Sequence, residues 1–358
     1  MHGEYKVPGG KLVVVDVQVE GDRLAAPVVS GDFFLEPDEA LEVITGSLVG
    51  QPADASVVVL AQAVTDALDA ATARGQVAAP VTMVGFDARA VAMAVHRALG
   101  LSTTWDDHEF EVLHPGPLSP AMHVALDQVL TEELGEGLRG PTLRFWEWTE
   151  PATVIGSFQS LRNEVDVDAA QRLGVTVVRR ISGGGAMFME GGNCVTFSLV
   201  VPASLVDGMS FEESYGFLNA WVVDALADVG VTAFTTGIND IASPTGKLAG
   251  SAQKRLATGA VLHHVTMAYD IDADKMMQVL RIGREKVSDK GIRSANKRVD
   301  PVRSQTQLPR PEVVAMLKAH FEGRFRTRLS DLTPHELTRA DALVTTKFSS
   351  PTWTARVP

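Results

Sequence analysis

Hydrophobic and polar positions first alternate in "VVVDVQVE", residues 13–20, with Val13, Val15, Val17 and Val19 on one face and Asp16, Gln18 and Glu20 on the other. A period of two describes a strand with one wet face, and the following "EGDR" supplies a turn. "APVVSGDFFL" reads as a further strand. The period then lengthens. Pro37, suited to a first helical turn, opens a helix through "DEALEVITGSL". Asp87 can cap another through "ARAVAMAVHRAL", whose buried stripe is Val91, Val95 and Leu99. Residues 1 to about 100 therefore form a small antiparallel α+β unit.

The stretch "STTWDDHEFEVLHPGPLSP" joins an acidic cluster to three prolines and marks a domain junction. Ser119 and Pro120 then open a helix carrying "AMHVALDQVLTEEL". Apolar runs predict strands at "TLRFWEW", "ATVIGSF", "GVTVVRR" and "NCVTFSLVV". Ser210 and Glu213 form a capping box for the helix that Gly230 ends. "GKLAGSAQKR" and "GAVLHHVTMAYDID" read as paired strands, followed by helices over 311–321 and after Thr333.

Three segments carry candidate chemistry. In "RRISGGGAMFMEGGN", residues 179–193, three glycines cost backbone entropy, so something must approach the chain closely there. Backbone amides at such a loop can hold an anion, and the guanidinium forks of Arg179 and Arg180 suit a carboxylate or phosphate. In "GINDIASPTGKLAGSAQKR", the turn "SPTG" delivers Lys247 to a strand. Alternation puts Lys247, Ala249, Ser251 and Gln253 on one face, where small residues leave room beside a cation able to neutralise developing charge. Asn239 and Asp240 either bind a nucleotide or magnesium, or merely start the turn. Between residues 281 and 303, eight basic residues face three acidic ones, a clamp for phosphates or an acidic partner, or a solvated face.

Composition narrows the class. The 358 residues suit two domains, and a net charge of −12 argues against a dedicated nucleic-acid binder. One cysteine, Cys194, leaves no intrachain disulfide or cysteine-based zinc cluster; in "NCVTFSLVV" it reads as a small buried hydrophobe before it reads as a nucleophile. With no apolar signal core and no long apolar span, a cytoplasmic location away from membranes is expected. His263 and His264 adjoin in a strand and face opposite sides, so they do not chelate a metal together.

Together, "RRISGGGA" with downstream "GGN", "NDI…GKLAGSAQKR", "LHHVT" and "DKGIRSANKRV" resemble the lipoate–protein ligase A family over roughly residues 108–358. "YKVPGGKLVVVDVQVEGDRL" through "SGDFFL" is similar to the accessory domain of these ligases, here placed first, over residues 1–102. The resemblance implies an α+β, biotin/lipoate ligase-like catalytic domain of mixed sheets flanked by helices. It implies ATP with Mg²⁺ activating lipoate to lipoyl-AMP, then transfer to a lysine of lipoyl domains, those of 2-oxoacid dehydrogenase complexes and the glycine-cleavage H protein. On the same ground Lys247 is the catalytic cation. Arg180, Ser182, Gly183, Gly184, Gly185, Ala186, Ser251 and His264 hold lipoate or its adenylate. Arg179, Asn239, Asp240, Lys247 and Thr266 hold ATP, and Lys290, Gly291, Arg293, Ser294 and Arg298 form an adenylate or acceptor loop. Met189-Glu190 stands where the family often has His-Asp, and Val265 where it has glycine. The alternatives are an ATP-independent octanoyl or lipoyl transferase working through Cys194, and a lipoate-binding protein without turnover.

Overall fold

The alternating segment 13–20 becomes the middle strand of a three-stranded antiparallel sheet, β1 (His2–Lys6), β2 (Leu12–Glu20) and β3 (Arg23–Gly31). The computed structural model describes residues 1–7, 9–281 and 299–358. Val13, Val15 and Val17 are buried as the period requires, whereas Val19 emerges at the strand's exposed end. "APVVSGDFFL" is not one strand: Asp32 and Phe33 break it, and β4 (Phe34–Glu36) pairs instead with β5 (Thr82–Val84) in a separate sheet. The helix expected at Pro37 starts later, as α1 (Ala40–Ser47).

An unanticipated helix, α2 (Val57–Ala73), buries Val57, Leu60, Val64, Leu68 and Ala71, and Ser56 caps it. α3 (Ala88–Ala98), capped by Asp87, lies against the sheet so closely that a Cβ on Gly3 would overlap the Ala94 carbonyl. Residues 204–209 join 1–104 in this unit; the rest of the chain forms a second unit.

Among the described residues the second unit has two sheets. The large one runs in the order β12 (Phe234–Thr236), β13 (Asp240–Ala242), β14 (Lys247–Arg255), β15 (Ala260–Ala268), β11 (Cys194–Pro202), β7 (Thr142–Trp146), β6 (Phe110–Leu113), β16 (Thr327–Leu329). It is antiparallel except where β6 joins β7 and β16. The small sheet is β10 (Met187–Met189), β8 (Ala152–Ile155) and β9 (Thr176–Arg179), so the strand expected over 152–158 stops before Gly156. α4 (Pro120–Gly135) packs on one face of β11 and β15. α7 (Phe211–Asp228) and α9 (Arg310–Arg324) pack on the other, where Trp221 meets Phe197 and Phe321. The remaining helices are α5 (Leu161–Glu164), α6 (Val167–Arg172), α8 (Ala273–Val279), α10 (Pro334–Leu343) and α11 (Pro351–Thr354). Capping boxes open α7 at Ser210–Glu213 and α10 at Thr333–Glu336.

Within the first unit, His96 ties residues 204–209 to the helices. Its Nδ1 lies 2.5 Å from Asp207 Oδ2 and its Nε2 2.8 Å from the Ala55 carbonyl. Both partners only accept, so both ring nitrogens donate and the imidazole is a buried cation. Burial opposes that charge, but the bonds to Asp207 and Ala55 outweigh it and raise the His96 pKa. Its contribution is full below the unfolded value of about 6.5 and is lost as pH rises through the raised folded value. The urea-unfolding midpoint of His96→Gln should therefore trail that of the unsubstituted protein most in acid, the gap narrowing in alkali. A gap independent of pH would contradict the charged assignment.

Candidate active site

A pocket lies between the α4-facing side of the large sheet and the small sheet. Trp146, Val154, Met187 and Met189 give it an apolar wall, while Arg180, Asn239, Lys247, His264 and Thr266 bring polar groups to the same space. Apolar lining with a few converging polar groups suits a ligand with an aliphatic body and a charged or reactive end.

The glycine run forms one side. After β8, Gly156 abuts the loop, and a Cβ there would overlap the Gly184 carbonyl. Gly184 has φ +87°, a left-handed conformation that favours glycine. Arg180 holds the loop from inside. Its Nη2 donates to the carbonyls of Gly183 (2.5 Å) and Gly185 (2.9 Å), its Nη1 to Val154 (3.1 Å) and its Nε to Ser182 Oγ (3.0 Å). Burial lowers its pKa to about 10, which leaves it charged at neutral pH.

Lys247 enters from the opposite side. The turn before it closes through Ser243 N–H to the Gly246 carbonyl, and the Asp300 carboxylate clamps it by accepting from Ser243, Thr245, Ser304 and Gln305. Burial works against the Asp300 charge, but these donors hold its carboxyl below the usual range. Lys247 Nζ lies 2.7 Å from Asp240 Oδ1. A Cβ on Gly250 would come within 3.2 Å of that ammonium, so the glycine makes room for it.

Beneath the pocket runs a buried polar chain. His264 Nδ1 is 2.7 Å from Asp127 Oδ2, and His264 Nε2 is 2.8 Å from Ser182 Oγ. Asp127 Oδ1 accepts from Arg144 Nη2 at 2.8 Å and from Ser198 Oγ. Burial alone would raise the Asp127 pKa; the His264, Arg144 and Ser198 contacts lower it overall. His123 is driven down to about 3 by burial and by Arg144, so it is neutral; its Nδ1 accepts from Arg144 Nη1 and its Nε2 donates to the Glu147 carbonyl.

Residues 119–322 match the model of the lipoyl protein ligase A/B catalytic domain, more than half of the chain. The chain belongs to that family. It is 31% identical over 272 residues to the octanoyltransferase LipM of Symbiobacterium thermophilum, covering 68% of this chain and 95% of the relative. Among solved structures, it resembles the bipartite lipoate protein ligase of Thermoplasma acidophilum, described with its E2 lipoyl domain: TM-score 0.61, 28% identity, 70% of this chain and 98% of the other. It is likewise similar to a lipoate-protein ligase A bound with ATP, at TM-score 0.60 and 26% identity, covering 70% and 100%. The expected α+β ligase fold is thus present, in a family that contains both ligases and transferases.

Of the residues singled out in the sequence, Arg180, Gly185, Ala186, Asn239, Lys247, His264 and Thr266 line the pocket together. Ser182, Gly183 and Gly184 are not among the lining residues; Ser182 is buried and Gly184 is exposed. Arg179 does not join them. Its guanidinium donates to the carbonyls of Gly156 (2.8 Å), Gln159 (2.7 Å) and Thr354 (2.7 Å), a clamp on the backbone outside the pocket lining. The side-chain phase expected along β14 is also corrected. A bulge makes Lys247 pair with Ala242 and Ala249 with Ile241, so Leu248 is extra, and Lys247 shares its face with Gly250 and Ala252. Ser251 gives the pocket only its backbone; its hydroxyl bonds Asn219 on α7. Val265 pairs with Ser251 and turns away from the pocket, and Met189 adds to the apolar wall. Lys290, Gly291, Arg293, Ser294 and Arg298 lie outside the described residues.

Sequence reading missed Asp127, Arg144, His123 and Ser198. Their signal was present: His123 and Asp127 stand four residues apart in an otherwise apolar helical run. No helix of the described residues is long and apolar enough to cross a membrane. Gly156→Ala should lower stability by about 1–3 kcal/mol in urea unfolding, because the loop cannot retreat from the new methyl without losing the Arg180 bonds. Unchanged stability would show the loop to be loosely held.

Proposed function

We propose that the protein is an ATP-dependent lipoate–protein ligase that forms lipoyl-AMP and passes the lipoyl group to a lysine of a lipoyl domain. The observation that carries this reading concerns the chain's single sulfhydryl. Cys194 has no exposed surface, is absent from the pocket lining, and burial pushes its thiol up to about 11. An acyl-cysteine route requires an accessible thiolate. An adenylate route requires instead a cation near the reacting carboxylate and phosphate, and Lys247 is available for that.

In this reading the aliphatic chain of lipoate lies along Val154, Met187 and Met189, with its carboxylate toward Lys247. One carboxylate oxygen attacks the α-phosphorus of ATP, the bond to the β-phosphate oxygen breaks, and pyrophosphate leaves. Lys247 neutralises charge accumulating between the carboxylate and the phosphorus. A lipoyl-domain amine then attacks the anhydride carbonyl, AMP leaves, and the amine's proton is lost to solvent. Magnesium would arrive on the nucleotide phosphates. Asn239, in the pocket lining, and the neighbouring Asp240, whose carboxylate pairs with Lys247 Nζ at 2.7 Å, would supply oxygen ligands, because Mg²⁺ commonly uses one carboxylate with phosphate oxygens. Among the described residues no three His, Cys, Asp or Glu side chains gather into a metal site of their own.

The relatives named octanoyltransferase favour a second reading, ATP-independent transfer from an octanoyl thioester. Intact-mass spectrometry of a lipoyl domain incubated with protein, lipoate and Mg·ATP separates the two. The ligase should add one lipoyl mass only with ATP, Cys194→Ala should retain that activity, and Lys247→Ala should lose about 100-fold or more. An octanoyl increment that forms without ATP and disappears in Cys194→Ala would establish the transferase instead.

A further inference from the structure

His264 reaches the pocket with both ring nitrogens already engaged from behind, by Asp127 Oδ2 at 2.7 Å and Ser182 Oγ at 2.8 Å. Counting hydrogens gives the chain a direction. The Asp127 carboxylate can only accept, so His264 Nδ1 carries the hydrogen between them. Arg180 Nε, 3.0 Å from Ser182 Oγ, can only donate, so among the described contacts of this buried hydroxyl His264 Nε2 is the group that can accept its hydrogen. The series therefore donates one way, from Arg180 through Ser182 and His264 to Asp127. Its order is that of an acyl-transfer nucleophile, a histidine and an orienting aspartate. Ser182, however, has no exposed surface and does not line the pocket, so its hydroxyl acts on the loop and not on substrate.

We propose that Asp127 is a positioning residue of this active site: by fixing His264 with its hydrogen on Nδ1, it turns the Ser182 hydroxyl inward and sets Arg180 and the glycine loop for the acyl adenylate. The kinetic part of this proposal rests on the ligase reading; the tautomer part does not. Asp127→Asn tests it because Arg144 decides how the amide lies. Arg144 cannot give up its hydrogens, so the amide oxygen must keep facing Arg144 and Ser198, and the NH2 then faces His264 Nδ1. Nδ1 can then only accept, and the ring hydrogen moves to Nε2. Both Nε2 and Arg180 Nε would donate into Ser182 Oγ, whose own hydrogen must find another acceptor.

The experiment uses the full chain, with ¹⁵N NMR of the histidine ring nitrogens and steady-state lipoylation of a lipoyl domain. The unsubstituted protein should show His264 protonated at Nδ1 and Asp127→Asn should show it at Nε2. The variant's kcat should fall about 10- to 100-fold, while its KM for lipoate stays within about threefold. Ser182→Ala, which spares the buried carboxylate–arginine pair, should lose a similar factor with His264 still protonated at Nδ1. Combining the two should cost no more than either alone, as for residues acting through one chain. His264 remaining on Nδ1 in Asp127→Asn, or full activity in Ser182→Ala, would overturn the proposal. If Asp127→Asn does not fold, Ser182→Ala decides. If the unsubstituted protein makes no lipoyl domain with ATP, the ligase reading fails, and the tautomer comparison decides what Asp127 does to His264.

Discussion

The Asp127 carboxylate, 2% exposed in a helix that is otherwise largely apolar, reaches three strands at once: Arg144 on β7, Ser198 on β11 and His264 on β15. A charge in such a place is tolerated only when paired and fully hydrogen-bonded, and removing one partner of a buried pair costs about 3–5 kcal/mol. The cluster thus fixes α4 against the centre of the large sheet. It also fixes His264, and through Ser182 the position of Arg180, which folds the glycine loop around itself. One buried charge serves both the packing of the unit and the shape of its pocket.

The pocket joins two chemistries that the large sheet and the small sheet supply separately. The small sheet brings Val154, Met187 and Met189, whose apolar and polarizable side chains suit an aliphatic acyl chain. The large sheet brings Lys247, which follows a turn that Asp300 clamps and pairs with Asp240 on the neighbouring strand. The bulge on β14 is what aims Lys247 into this space, since without the extra Leu248 the strand's period would turn it toward α7. Bulges that re-aim one side chain are common beside active sites, and this one costs a single irregular pair of the ladder.

Much of this was legible in the sequence where local physics decides. The period-two run 13–20 became β2, the apolar run at 193–201 became β11 and the paired strand at 259–272 became β15, and Ser119, Ser210 and Thr333 cap the helices expected to follow them. The glycine run did form a close approach, although what comes near is another backbone, at Gly156, as well as the pocket. Other features depended on contacts distant in sequence. Nothing local distinguishes Arg179 from Arg180; alternation alone sends one to the carbonyls of the C-terminal segment and the other to the loop. The β14 bulge has no residue signature, because Leu248 would suit a regular strand equally well. α2 escaped notice although its stripe of Val57, Leu60, Val64 and Leu68 has helical spacing, because three consecutive valines at its start favour strand locally.

In the proposed reaction the carboxylate is activated by ATP before any acceptor is involved. Lipoate-dependent exchange of labelled pyrophosphate into ATP, with no lipoyl domain present, tests that step alone. Exchange should appear only when lipoate or a carboxylate like it is added. Absence of exchange from a folded protein that still acylates a lipoyl domain from an octanoyl thioester would contradict it.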